Sequence, residues 1–264
     1  MAKNCMKRFC EIYPEHGFLS SKLSLEVVER SEFITRLIAI EKEHPLNDDP
    51  ESTVIQNFSG CDAATMRTPK KDYIVVSFDA EDEDIYFIIR TYHELSHVYS
   101  IHIQEKNHPI NLTETKSDAL VGHLFWKEFI ADYLALNALH RDFSRFEINS
   151  LEAKNYIKAS LQNMVDSMYP ANQGSMSGMA NLFAFLFNLE GFIEGSESLK
   201  LPIKRRSAIG KGLIRYIQEM VEELREKCKE SMCPIVDEEY LYSIGGTAIE
   251  IQLYVTDYAD ENDW

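Results

Sequence analysis

His93-Glu94-Leu95-Ser96-His97 is the stretch on which the reading of this chain turns. Wound into a helix, it sets two imidazoles one turn apart on one face, with a carboxylate beside them. Neutral imidazole and carboxylate are ligands that zinc takes at roughly 2.0 to 2.2 Å, and a catalytic site keeps three protein ligands and one open position. Glu94 lies about 100° around the helix from His93, so it is badly placed to share the ion and well placed to take a proton from water beside it. Zinc lowers the pKa of water to about 7 and polarises a carbonyl, which is what hydrolysis of a peptide bond requires. The stretch therefore implies a zinc-dependent peptidase with His93 and His97 as ligands and Glu94 as general base.

A third ligand must come from elsewhere. Glu128-Phe129-Ile130-Ala131-Asp132 puts carboxylates at i and i+4 on one face of a second expected helix. A loop and a returning helix can bring Glu128 opposite the histidines, and Asp132, one turn later, can hold an imidazole N–H and so fix its tautomer. Ala131 and Ala135 are small enough for close helix packing, although alanine favours any helix. His102 and His123 stand five residues from His97 and Glu128, about 140° off the metal-facing side, and read as structural or exposed. Tyr169 and Tyr242 are candidates for stabilising an oxyanion, and both also read as ordinary core or surface aromatics.

Around the motif, the acidic run Asp79 to Asp84 suits a helix start, and Ile85, Ile88, Ile89, Tyr92, Leu95 and Tyr99 form one apolar stripe after it. Asn107-His108-Pro109 ends that helix, and Thr113 can cap the next, from about Glu114 to His140. Upstream, apolar spacing from Ser24 to about Glu43 predicts an amphipathic helix, and His44 to Ser52 a connecting loop. Thr53 to Phe58 and Tyr73 to Phe78 read as short strands separated by a loop bearing Gly60 and Pro69. Beyond Phe143 the pattern is mostly helical. The expected class is α+β, mostly helical, with a small sheet beside the His93–His97 helix.

The 43 acidic against 27 basic side chains give a net charge of −16, which repels phosphate backbones and anionic membrane surfaces. Nucleic-acid and membrane partners are therefore not expected. No apolar run approaches the ~20 residues that span a bilayer, and no secretory signal is evident near the first residues, so the expected location is cytoplasmic. Five cysteines read as reduced thiols. Neither Cys5 with Cys10 nor Cys228 with Cys233 has the neighbouring ligands that would complete a second metal site.

His93-Glu94-Leu95-Ser96-His97 followed by Glu128-Phe129-Ile130-Ala131-Asp132-Tyr133-Leu134-Ala135 resembles the ImmA/IrrE family of metallopeptidases and, more broadly, the gluzincins. The resemblance covers about Thr53 to His140. It implies a minimal zincin core at 46–145, between an amino-terminal helical segment (1–45) and a helical carboxy-terminal region (146–264). It also implies a zinc site made of His93, His97 and Glu128, with Asp132 behind them. In that family the substrate chain pairs with an edge strand, for which Tyr73, Val75 and Ser77 of the second expected strand are the candidates. The substrate would be a protein or peptide, with regulatory proteins the usual class. No amino-terminal helix-turn-helix is evident, and the last 120 or so residues have no counterpart in the resemblance.

Two rivals use the same ligands. One is a zinc-binding regulatory module that cleaves nothing, against which the intact Glu94 argues. The other is a zinc hydrolase with a non-peptide substrate.

Overall fold

A computed structural model describes residues 1–14, 23–45, 48–79, 84–111, 117–142, 223, 226–228, 230–231, 233–247 and 249. It is mostly helical, with one three-stranded sheet. Two compact units are distinguished. The first takes in Met1–His102 and Ala135–Asp142, and the second Ile103–Leu134 with the described residues from 223 onward.

In the first unit, helix α1 (Ala2–Ile12) precedes strand β1 (Leu23–Glu29), a 3-10 turn (Arg30–Glu32) and helices α2 (Phe33–Glu43) and α3 (Pro50–Phe58). Strands β2 (Ala63–Arg67) and β3 (Asp72–Phe78) follow, then the long helices α4 (Asp84–Asn107) and α5 (Ser117–Asp142), each of which contributes residues to both units.

The sheet order is β1-β3-β2, with β1 parallel and β2 antiparallel to β3. This corrects the expectation of an exposed edge at Tyr73 to Phe78. The strand is central, paired with β1 over its whole length, and Tyr73, Val75 and Ser77 are buried. None of the three belongs to a free edge, so the proposed substrate strand is withdrawn. The cause is that β3 has a neighbour on each side, neither of which local sequence announces as a strand. Leu23 to Glu29, expected as the start of a helix, becomes β1 because Val27 and Val28 find a ladder on β3; β-propensity expresses itself only where a partner exists. Ala63 to Arg67, expected as loop, becomes β2 despite its two alanines, for the same reason.

Thr53 to Phe58 is corrected in the opposite sense, from strand to helix. Asp49 accepts a hydrogen bond from the Ser52 amide at 3.1 Å, and Pro50 occupies the first turn, where its missing N–H costs nothing. The same Asp-Pro pair is equally good turn chemistry, and the helix that follows is what distinguishes the two.

Side chains alternate across the sheet. Ala64, Met66, Tyr73 and Val75 join Phe33, Leu37 and Ile40 of α2 and Val54 of α3 in one core. The register then sets Thr65 opposite Ile74 on the other face, where Phe78 meets Phe87 of α4 with ring centroids 6.2 Å apart. A central strand covered on both faces needs no polar alternation, which accounts for the near-continuous apolar run Tyr73 to Val76. A slip of one residue in β2 would turn Thr65 into the core and Ala64 out of it.

Helix α1 is fastened to the middle of α4. Phe9 and Tyr13, on one face, pack their rings on Tyr92 and Tyr99 at 5.4 to 6.0 Å. Full burial of a side chain such as Phe9 contributes about 1.5–3 kcal/mol. The buried carboxylate of Asp142, at the end of α5, accepts from Arg8 Nε at 2.5 Å and from the Tyr92 hydroxyl at 2.8 Å. Burial and the neighbouring carboxylate push the Tyr92 hydroxyl well above its ordinary range, so it remains a donor.

Helix α4 was expected to be amphipathic, yet from Thr91 to Ser100 every residue but the half-buried His93 is buried. Its hydroxyls are accommodated by bonding back along the helix: Thr91 to the Phe87 carbonyl at 2.7 Å, Ser96 to Tyr92 at 2.7 Å and Ser100 to His97 at 3.2 Å. Small self-satisfied polar residues are what let an uneven stripe go to the interior.

In the second unit, the Gln104 side chain donates to the Val236 carbonyl at 2.7 Å and accepts from the Val236 amide at 3.0 Å. Helical residues 238–247, begun by Asp237 accepting from the Tyr240 amide, cross α5 at Gly122 and Gly245. A Cβ on Gly122 would lie 1.8 Å from the Leu241 carbonyl oxygen, and one on Gly245 1.7 Å from that of Asp118, so only glycine permits the crossing. Among the described residues, no helix is long and apolar enough to cross a membrane.

Candidate metal centre

His93 and His97 take their mutual position from α4 alone. Four residues advance a helix by slightly more than one turn, so the two rings stand one above the other. Their Nε2 atoms are 2.9 Å apart and their planes nearly perpendicular, at 89°. Two nitrogens sharing one tetrahedral ion at roughly 2.0–2.1 Å would stand about 3.3 Å from each other, so this pair is within about half an ångström of chelating separation.

Glu128 is half-buried on α5. One ligand atom from each of His93, His97 and Glu128 lies within 4.8 Å of the other two, and among the described residues this is the one group of three able to hold a metal ion. The donor chemistry suits a borderline cation such as zinc, for which two imidazoles and a carboxylate leave an open position. Lys127 Nζ stands 3.2 Å from Glu128 Oε1, a neighbour that the sequence reading did not anticipate. A carboxylate has about four lone-pair positions, so this cation does not exhaust it. Asp132 follows one turn later on α5 and is half-buried.

Glu94 faces elsewhere, as its place about 100° from His93 requires. It is buried, and its Oε2 accepts from the Thr65 hydroxyl of β2 at 2.7 Å. Thr65 was invisible to sequence reasoning because it fell in a segment read as loop, and a lone threonine carries no motif. The site thus couples a chelating pair with a separate carboxylate that has its own hydrogen-bond donor.

Tyr242 is exposed in the second unit, and Tyr169 lies outside the described residues. Burial, with a smaller contribution from Lys127, lowers the His123 pKa to about 4, so it is neutral near pH 7. Its ring lies 5.9 Å from that of Trp126. This environment agrees with the structural reading of that histidine.

No protein-family model, curated protein or solved structure matches the chain.

Proposed function

We propose that the protein is a zinc-dependent peptidase in which His93, His97 and Glu128 hold the ion and Glu94 is the general base. The observation that carries this reading is the convergence of three ligand atoms within 4.8 Å, next in sequence to a buried carboxylate that is not one of them. The ion, when bound, supplies a Lewis acid that polarises a carbonyl and acidifies water. The chain's own residues do the rest. Glu94 accepts the proton of the attacking water and returns it to the leaving amine, a task for a carboxylate outside the ligand set. Asp132, one turn after Glu128, would accept an imidazole N–H when the ion is bound and hold that ring in the tautomer that leaves Nε2 free to ligate.

A peptide substrate is favoured by the outer edge of β2. Among the described residues no strand pairs there. An extended chain laid along it would gain main-chain hydrogen bonds and would run past Thr65, which touches Glu94. This relocates the substrate edge from β3 to β2. The ligand pattern also underlies the likeness to ImmA/IrrE peptidases, whose minimal zincin fold the sheet and α4 would represent. Restricted specificity, for one regulatory protein, fits a net charge of −16, which gives little generic affinity for other acidic chains.

The test is metal content and cleavage together. About one zinc per chain is expected in wild type and in Glu94→Gln, with loss in His97→Ala. Glu128→Ala should bind zinc about tenfold or more weakly by competition with a chelating dye. Wild type, but not Glu94→Gln, should cut members of a mixed peptide library. No zinc in wild type after reconstitution would discard the reading, and undiminished cleavage by Glu94→Gln would discard the mechanism. Full zinc with no cleavage of peptides or of trapped protein partners would favour the non-catalytic regulatory module.

A further inference from the structure

We infer that Thr65 is the positioning residue for Glu94, fixing one oxygen of the general base so that the other takes the proton; this rests on the peptidase reading above. Thr65 Oγ1 lies 2.7 Å from Glu94 Oε2 and 3.3 Å from the Glu94 carbonyl oxygen. A hydroxyl has one proton to give, and an ionised carboxylate can only accept, so the bond runs from Thr65 to Oε2, the nearer and stronger acceptor. Oε1 is left as the accepting oxygen.

The hydroxyl is itself held in place. Thr65 pairs with Ile74 in the sheet register, and Ala64 and Met66 on either side are locked in the core shared with α2 and α3. Its β-branched side chain has few χ1 states. Three residues earlier, Asp62 pairs with Arg90 at 3.2 Å, and Arg90 precedes Glu94 by one turn of α4. Asp62 also meets Arg30 at 2.9 Å. The edge strand is thus tied to the site helix at two places, by a salt bridge and by the bond to the base. A glutamate has three side-chain torsions to restrain, and a donor on a rigid strand restrains the last of them.

The experiment compares Thr65→Val, which keeps shape and β-branching and removes the hydroxyl, with Thr65→Ser, which keeps the hydroxyl. Each is loaded with Co2+, its metal content is measured, and acetohydroxamate is titrated while the visible absorption of the cobalt is followed. A hydroxamate chelates the ion and offers a proton to a carboxylate placed beside it, so its affinity reads the position of Glu94 without a known substrate. Expected are full metal content in all variants, wild-type affinity within about twofold for Thr65→Ser, and affinity about tenfold weaker for Thr65→Val and Glu94→Gln. If Thr65→Val does not fold, Thr65→Ala against Thr65→Ser makes the same comparison. Wild-type affinity in the hydroxyl-free variant, equal weakening in Thr65→Ser, or an unaffected Glu94→Gln would each overturn the assignment while leaving the metal site standing. Failure of the wild type to bind metal would remove the peptidase reading and this inference together.

Discussion

Replacing Gly122 by alanine sets two opposite effects against each other, and the structure decides between them. Alanine in a helix interior is favoured over glycine by about 1 kcal/mol, so propensity alone predicts a stabilised protein. The added Cβ, however, would stand 1.8 Å from the Leu241 carbonyl oxygen, 2.7 Å from its carbon and 3.0 Å from the Gly245 amide nitrogen. Those are main-chain atoms of a helical segment and cannot rotate away. To reach the ~3.3 Å of a close C–H···O contact, the two segments must separate by about 1.5 Å. A gap of ~0.5–1 Å already forfeits a quarter to a half of each dispersion contact along the crossing. Overpacking of this kind costs about 1–3 kcal/mol, occasionally more. The absence of any flexible atom to yield places Gly122→Ala at the upper end, for a net loss of about 2 kcal/mol. Urea unfolding followed by circular dichroism should therefore show a lower midpoint. Gly246→Ala is the internal control, since it lies in the helical residues 238–247 that cross α5 and a Cβ there meets nothing within 4 Å; it should be neutral or stabilising by up to ~1 kcal/mol. A Gly122→Ala midpoint equal to or above wild type would refute the close crossing.

The pH dependence of stability should carry the mark of His123. Its folded pKa, about 4, lies below the ordinary 6.5, so between those values the unfolded chain binds the extra proton. Stability from this group is fully present above about pH 6.5 and is lost as pH falls towards 4. Urea midpoints at pH 7.5 and 4.5 should differ less in His123→Phe than in wild type, and an unchanged difference would clear His123 of the effect. Thiol reactivity should separate the cysteines: burial pushes Cys5 and Cys228 up to about 12 and Cys10 up to about 11, whereas Cys61 is exposed. A disulfide reagent at pH 8 should label Cys61 first and leave Cys5 and Cys228 until denaturant is added, as read by mass spectrometry; early labelling of Cys5 would contradict its place on the buried face of α1.

What the amino-acid sequence determined by itself is whatever depends on one helix. The facing of His93 and His97, the offset of Glu94 and the stacking of Glu128 over Asp132 follow from a repeat of about 3.6 residues, and runs as long as α4 and α5 announce themselves by that period. The sheet was legible only at β3, whose apolar run stands out without a partner. β1 and β2 became strands because β3 was there to pair with, and pairing between residues dozens of positions apart leaves no local signature. α3 carried its signal in Asp49-Pro50, which serves a turn and a helix start alike until the following residues find a core. Tertiary structure alone decided that β3 is interior, that Thr65 meets Glu94, and that Gly122 and Gly245 face each other. Each of those is a distance between segments, set by packing and register, and a helical repeat holds no information about distances beyond its own helix.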